Sequence, residues 1–132
     1  MPPERFPPDD PREWLNRASS NMAQAKAEHP DVYPEDLCFN AQQAAEKSIK
    51  ALLLHHGIRF PYIHDLSQLL DLLEQGGESV PARVREATIL THYAVEERYP
   101  GLSEPVTRQE YEQAVSLAET VLSWAQERIT GA

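Results

Sequence analysis

Three observations predict an all-α fold for this chain of 132 residues. Apolar side chains recur every three or four positions through most of its length, no run alternates with period two for long enough to make a strand, and the helical stretches carry their own start and stop residues. The expected architecture is an up-down antiparallel helical bundle of four main helices plus one shorter helix. The connections are short, so sequential helices are expected to lie side by side.

The elements follow in order. Residues 1–9 contain Pro2, Pro3, Pro7 and Pro8 and are expected to form an extended, partly mobile arm ahead of the bundle at 10–130. Asp10-Pro11-Arg12-Glu13 reads as a helix start, with Asp10 as cap, Pro11 in the first turn and Glu13 bonding back to the cap. Trp14, Leu15, Ala18, Met22 and Ala25 continue that helix to about residue 27. Pro34, with Glu35 and Asp36 at the positive end of the dipole, opens a second helix that Gly57 closes. Its buried stripe is expected to be Leu37, Cys38, Ala41, Ala44, Ala45, Ser48, Ile49, Leu52 and Leu53, and its length roughly 35 Å. The alanines and the serine let a neighbouring helix approach closely. Asp65 caps a third helix that stops at Gly76-Gly77. Pro81 starts a fourth, with Val84, Ala87, Thr88, Leu90, Thr91, Ala94 and Val95 on its apolar side, ending near Arg98-Tyr99-Pro100. Thr107-Arg108-Gln109-Glu110 is a capping box for the last.

Length allows one domain, since halves of this chain would be too small to bury a core. Apolar residues make up 41% and charged residues 25%, a globular balance. The net charge of −9 argues against general coating of nucleic acid, because such a surface repels a phosphate backbone. A pocket with one or two arginines stays compatible with it. The single cysteine, Cys38, lies on an apolar stripe and reads as a core residue; no intrachain disulfide can form. The first residues carry no apolar signal segment and the longest aliphatic run is Ala51–Leu54, so a cytoplasmic protein that does not enter a membrane is expected.

The sequence lacks a glycine-rich phosphate loop, a Cys-x-x-Cys, a His-Glu-x-x-His and the Glu-x-x-His pairs of a di-metal bundle. His55, His56 and His64 gather around Gly57, but adjacent histidines on a helix point about 100° apart and make poor joint ligands. Neither a metal nor a cofactor is expected. Gln42, Gln43, Glu46, Lys47 and Lys50 read as a solvated helix face. Glu46 and Lys50 form an i, i+4 pair on it, and Lys47 and Lys50 make a polar ridge able to meet phosphate. Arg98 and Tyr99 are expected at a fraying helix end, offering a guanidinium for phosphate and a ring for a base.

The stretch Cys38-Phe39-Asn40-Ala41-Gln42-Gln43-Ala44-Ala45-Glu46-Lys47-Ser48-Ile49-Lys50-Ala51-Leu52-Leu53, taken with His64-Asp65-Leu66 and Arg98-Tyr99-Pro100, resembles the HEPN family (higher eukaryotes and prokaryotes nucleotide-binding). The likeness is to its small stand-alone prokaryotic branch and covers about residues 10–130. It implies a bundle that forms a homodimer and binds nucleotide or RNA, working with a minimal nucleotidyltransferase. On that reading His64, Asp65, Lys47, Lys50, Arg98 and Tyr99 are the ligand-binding candidates. It also implies an alternative, a metal-independent ribonuclease toxin of a toxin–antitoxin pair; a non-catalytic helical interaction module is the third reading. The family's catalytic motif is an arginine followed four to six residues later by a histidine. Here the match is Arg85 and His92, with Glu86 directly after the arginine and Tyr93 directly after the histidine. Histidine moves a proton at the ribose 2′-hydroxyl while arginine stabilises charge on the phosphate. On an α-helix the two share a face but are about 10 Å apart along the axis, with Arg85 leaning away.

Overall fold

The computed structural model describes residues 2–94 and 105–131, and every element among them is helical. Helix α1 spans Pro11–Ala25, α2 Pro34–His55, α3 Leu66–Gln75, α4 Ala82–Arg85 and α5 Arg108–Thr130; a 3-10 segment, Glu86–Tyr93, continues directly from α4.

Asp10 caps α1 by accepting from the Arg12 backbone N–H at 2.9 Å. Glu13 does not bond back to it. Its buried carboxylate accepts instead from the Phe6 backbone N–H at 2.9 Å and from Arg17 Nε at 2.7 Å. The arm supplies that donor, and it is fastened along α1 where looseness was expected. Trp14 Nε1 donates to the Pro8 carbonyl at 2.6 Å, Asn16 Nδ2 donates to the Glu4 carbonyl at 2.9 Å, and the Arg12 guanidinium sits 4.0 Å from the Phe6 ring centre.

All nine residues expected on the stripe of α2 are buried, Cys38 included. Small side chains there let α1 and α5 both pack against it. Trp14 lies near Lys50 while Asn21 meets Asn40, so α1 runs against α2. Tyr111, in the first turn of α5, donates its hydroxyl proton to the Ala25 carbonyl at 2.7 Å, so α1 runs against α5 as well. Gly57 takes φ 71° and turns the chain as α2 ends, with the Ile58 N–H returning to the Leu53 carbonyl.

From there the connection to α3 climbs back along α2. Phe60 comes beside Lys50 and His64 beside Glu46. Ile58, Phe60 and Ile63 face the core from this segment. It is the feature that positions the site, because it covers a polar row of α2 that would otherwise meet water.

The fourth helix departs from expectation. Only its first turn is α-helical, and Glu86–Tyr93 is 3-10. Val84, Ala87, Leu90 and Tyr93 are its buried residues, a strict interval of three that fits three residues per turn better than 3.6. Thr88, Ile89 and Thr91 between them are β-branched and weak α-formers. The last helix begins as expected, with both halves of the Thr107–Glu110 capping box formed.

Candidate functional site

Gln42, Glu46 and Lys50 stand four residues apart on α2 and so share one face. All three are buried, which overturns the solvated face expected from sequence. Glu46 is the hub. Its Oε1 accepts from Gln42 Nε2 at 2.9 Å and from His64 Nδ1 at 2.9 Å, and its Oε2 accepts from Lys50 Nζ at 2.9 Å. Phe60 and Trp14 close over the lysine, their rings edge to face at 5.3 Å and its ammonium 5.2 and 6.0 Å from the two centres. Burial pushes the Glu46 carboxyl upward, but hydrogen bonds from Gln42 and Lys50, the lysine charge and the bond from His64 outweigh it. The group ends below the ordinary glutamate range and is a carboxylate at neutral pH.

His64 is the exposed end of this cluster, its side chain 43% accessible against 4% for Glu46. A carboxylate can only accept, so Nδ1 donates to it, and Nε2 has no partner among the described residues. Asp65 acts on the next helix. Its carboxylate caps α3, accepting from the backbone N–H groups of Ser67 at 2.9 Å and Gln68 at 3.4 Å. The Leu66 N–H at the same helix start donates to Thr91 Oγ1 at 3.1 Å, tying the 3-10 segment to this corner.

Lys47 does not join Lys50. Its ammonium donates to Asn21 Oδ1 at 2.8 Å, and Asn21 in turn donates to Asn40 at 3.0 Å, on the α1 side of α2. Burial lowers its pKa, with the Glu46 charge opposing. The ridge expected from Lys47 and Lys50 is therefore two separate arrangements.

Arg85 and His92 are not brought together either. In a 3-10 helix seven positions turn through about 120° beyond whole turns and rise about 14 Å. Arg85 faces α3, where it pairs with Asp71 at 2.8 Å and with Glu74, and reaches the Ser67 carbonyl at 3.4 Å. His92 donates from Nδ1 to the Ile89 carbonyl at 2.6 Å, its ring tilted on Tyr93 at 4.0 Å. Arg98 and Tyr99 lie outside the described residues.

With this geometry in hand, comparison with known proteins decides the family. The HEPN domain matches residues 11–129. The chain belongs to the HEPN family. It is similar to TT1696 from Thermus thermophilus, at 33% identity over 89% of this chain and 96% of that one, with a TM-score of 0.76. The fold is also shared with ST0689, an archaeal HEPN homologue, at 24% identity over 91% and 98% of the two chains and a TM-score of 0.71. No curated protein matches.

In this HEPN protein a further concavity lies elsewhere. A groove of about 730 Å³ runs along α5, and several charges at its rim satisfy one another: Lys26 pairs with Glu119 at 2.9 Å, and Arg108 with Glu28 and Glu112. Two other buried glutamates are structural. Glu35 accepts the Val106 N–H at 3.0 Å, fixing the entry to α5. Glu78 receives His56 Nε2 at 2.7 Å on one oxygen and lies 2.6 Å from Arg128 on the other, an ion pair whose angle is too poor for a hydrogen bond. Among the described residues no helix is long and apolar enough to cross a membrane, and no group of His, Cys, Asp and Glu could hold a metal ion. Sequence reasoning named His64 and Lys50 but missed Gln42 and Glu46 as their anchor. The signal available was the i, i+4, i+8 spacing of Gln42, Glu46 and Lys50 beside an apolar stripe.

Proposed function

We propose that this HEPN protein binds the phosphate-bearing part of a nucleotide or RNA through His64, and that it does so as the companion of a minimal nucleotidyltransferase. One observation carries the binding reading: a half-exposed imidazole is fixed through one nitrogen by a buried carboxylate while the other nitrogen is unoccupied. Buried ion pairs contribute little net stability, so the Glu46–Lys50 pair has a better explanation as an orienting device than as a brace. Protonated, His64 offers a phosphate oxygen a charge-assisted donor at Nε2. The partner reading rests on family membership.

Thermal shift with AMP, ATP and a short oligoribonucleotide tests the binding. A stabilisation by at least one of them, lost in His64→Ala, is expected. No shift with any, or an equal shift in the variant, overturns it. Co-purification with a tagged nucleotidyltransferase checks the companion.

Metal-independent RNA cleavage has one observation in its favour, the bond from His92 Nδ1 to Ile89, which leaves Nε2 to accept a proton. Arg85 is already held by two carboxylates of α3, so a catalytic cation would have to be a group other than Arg85. The homodimer itself rests on the family. On α2, Leu37, Ala41, Leu52 and Leu53 are buried within one chain and Phe39 and Leu54 half-buried, and the exposed large apolar side chains among the described residues are Val32, Tyr33, Tyr62 and Ile89.

A further inference from the structure

The segment that covers Glu46 has an outer side. Ile58, Phe60 and Ile63 pack against the core, while Arg59, Tyr62 and His64 are exposed. Tyr62 is 99% accessible, more than any other large apolar or aromatic residue described. It is not there by looseness. The Ile63 N–H donates to the Pro61 carbonyl at 2.9 Å, a three-residue turn with Tyr62 at its apex, and the residues on either side are pinned. The turn sets the Tyr62 backbone at an apex, and its ring, which touches nothing in the fold, has both faces open to a stacking partner. Beside it a shallow groove of about 270 Å³ is lined by Pro61, Ile63 and Leu72, with Gln68, Asp71 and Gln75 as its polar edge.

The same segment carries an unengaged charge. Most lysines and arginines among the described residues are engaged, such as Lys26, Lys47, Lys50, Arg85 and Arg128; Arg59 and Arg83 form no ion pair or hydrogen bond there. Arg59 is three residues from Tyr62 and five from His64. In a chain of net charge −9, an unengaged arginine on the same short exposed segment as Tyr62 and His64 is a local exception to an acidic surface.

We infer that the Arg59–His64 segment reads an unpaired nucleobase, with Tyr62 stacking on the base and Arg59 meeting a flanking phosphate, so that the ligand is single-stranded nucleic acid. This rests on the His64 reading and specifies its ligand. A duplex keeps its bases stacked on one another and offers none to Tyr62, and the acidic surface outside the segment limits contact to one or two phosphates.

The test is fluorescence anisotropy with labelled hexa-adenylate, its abasic counterpart carrying the same phosphates, and a duplex of the same length, with AMP binding followed in parallel. Wild type is expected to hold the single strand at least fivefold more tightly than the other two. Tyr62→Ala should weaken it roughly 5- to 150-fold, the range for one lost base–aromatic stack, while Tyr62→Phe retains affinity. Arg59→Ala should reduce the slope of log affinity against log salt by about 0.7, one phosphate on a single strand. Tyr62 touches nothing in the fold, so unchanged melting of its variants separates binding from folding. Equal affinity for the abasic strand, or for Tyr62→Ala, overturns the inference. So does a failure to bind the hexamer while AMP still binds through His64, and that result leaves the His64 reading standing; no binding of either overturns both.

Discussion

Two polar clusters flank α3, and they are built on opposite plans. At its start, Glu46 sits in the dry interior and gathers Gln42, Lys50 and His64, leaving one imidazole nitrogen open to solvent. Along its length, Arg85 lies in partial contact with water and is held by Asp71, Glu74 and the Ser67 carbonyl. The first combines a rigid base with an open end; the second is closed. Matching a sequence motif, as Arg85 does, says which residue type is present, whereas availability for chemistry depends on what its neighbours have already taken.

The first cluster depends most on Glu46. Glu46→Ala leaves the Lys50 ammonium buried without its counter-charge, which should cost about 3–5 kcal/mol, and the melting temperature should fall by roughly 10–20 °C. Denaturant unfolding and calorimetry measure this. A loss below about 1 kcal/mol would mean that water reaches the lysine and that the cluster is not the dry scaffold described.

A second measurement sharpens the contrast through pH. Folding holds the Glu46 carboxyl below its ordinary value near 4.5, so its contribution is complete above that value and disappears as pH falls through the depressed one. Wild-type stability should therefore drop on acidification in that window, and Glu46→Gln, with no proton to take up, should show a shallower drop. Parallel pH profiles for the two proteins would remove Glu46 from the titrating set.

The smallest effect is expected at Arg85. Its ion pairs are partly exposed and screened, so Arg85→Ala should cost no more than about 1 kcal/mol and leave nucleotide affinity unchanged. Chemical denaturation and the AMP titration check the two halves. A large loss of affinity would return Arg85 to the site and erase the distinction between the clusters.

The long helices were legible because their signals are local. Caps at Asp10, Asp65 and Thr107, the stop at Gly57 and the small-residue stripe of α2 are all written within a few residues. The site was half legible. His64 and Lys50 were named, yet Gln42, Glu46 and Lys50 read as solvated because nothing local says that a segment some fifteen residues later folds back over them. The 3-10 segment was misread for a different reason. An interval of three at Val84, Ala87, Leu90 and Tyr93 also satisfies a helical template with loose spacing, and the preference for 3-10 lies in the absence of any four-residue step. His92 and Arg85 then separate as a consequence.

That same segment has a kinetic meaning. Its i, i+3 hydrogen bonds are poorer in geometry than α-helical ones and rest on a single buried edge, whereas α2 is enclosed by α1, α3, α5 and the 3-10 segment together. Amide protons between Glu86 and Tyr93 should therefore exchange with solvent through brief local openings, while those in the middle of α2 wait for the whole domain to unfold. Opening of that kind releases the Leu66 amide from Thr91 and loosens the start of α3. The start of α3 beside His64 is then expected to open more readily than the middle of α2, which carries the carboxylate that aims His64.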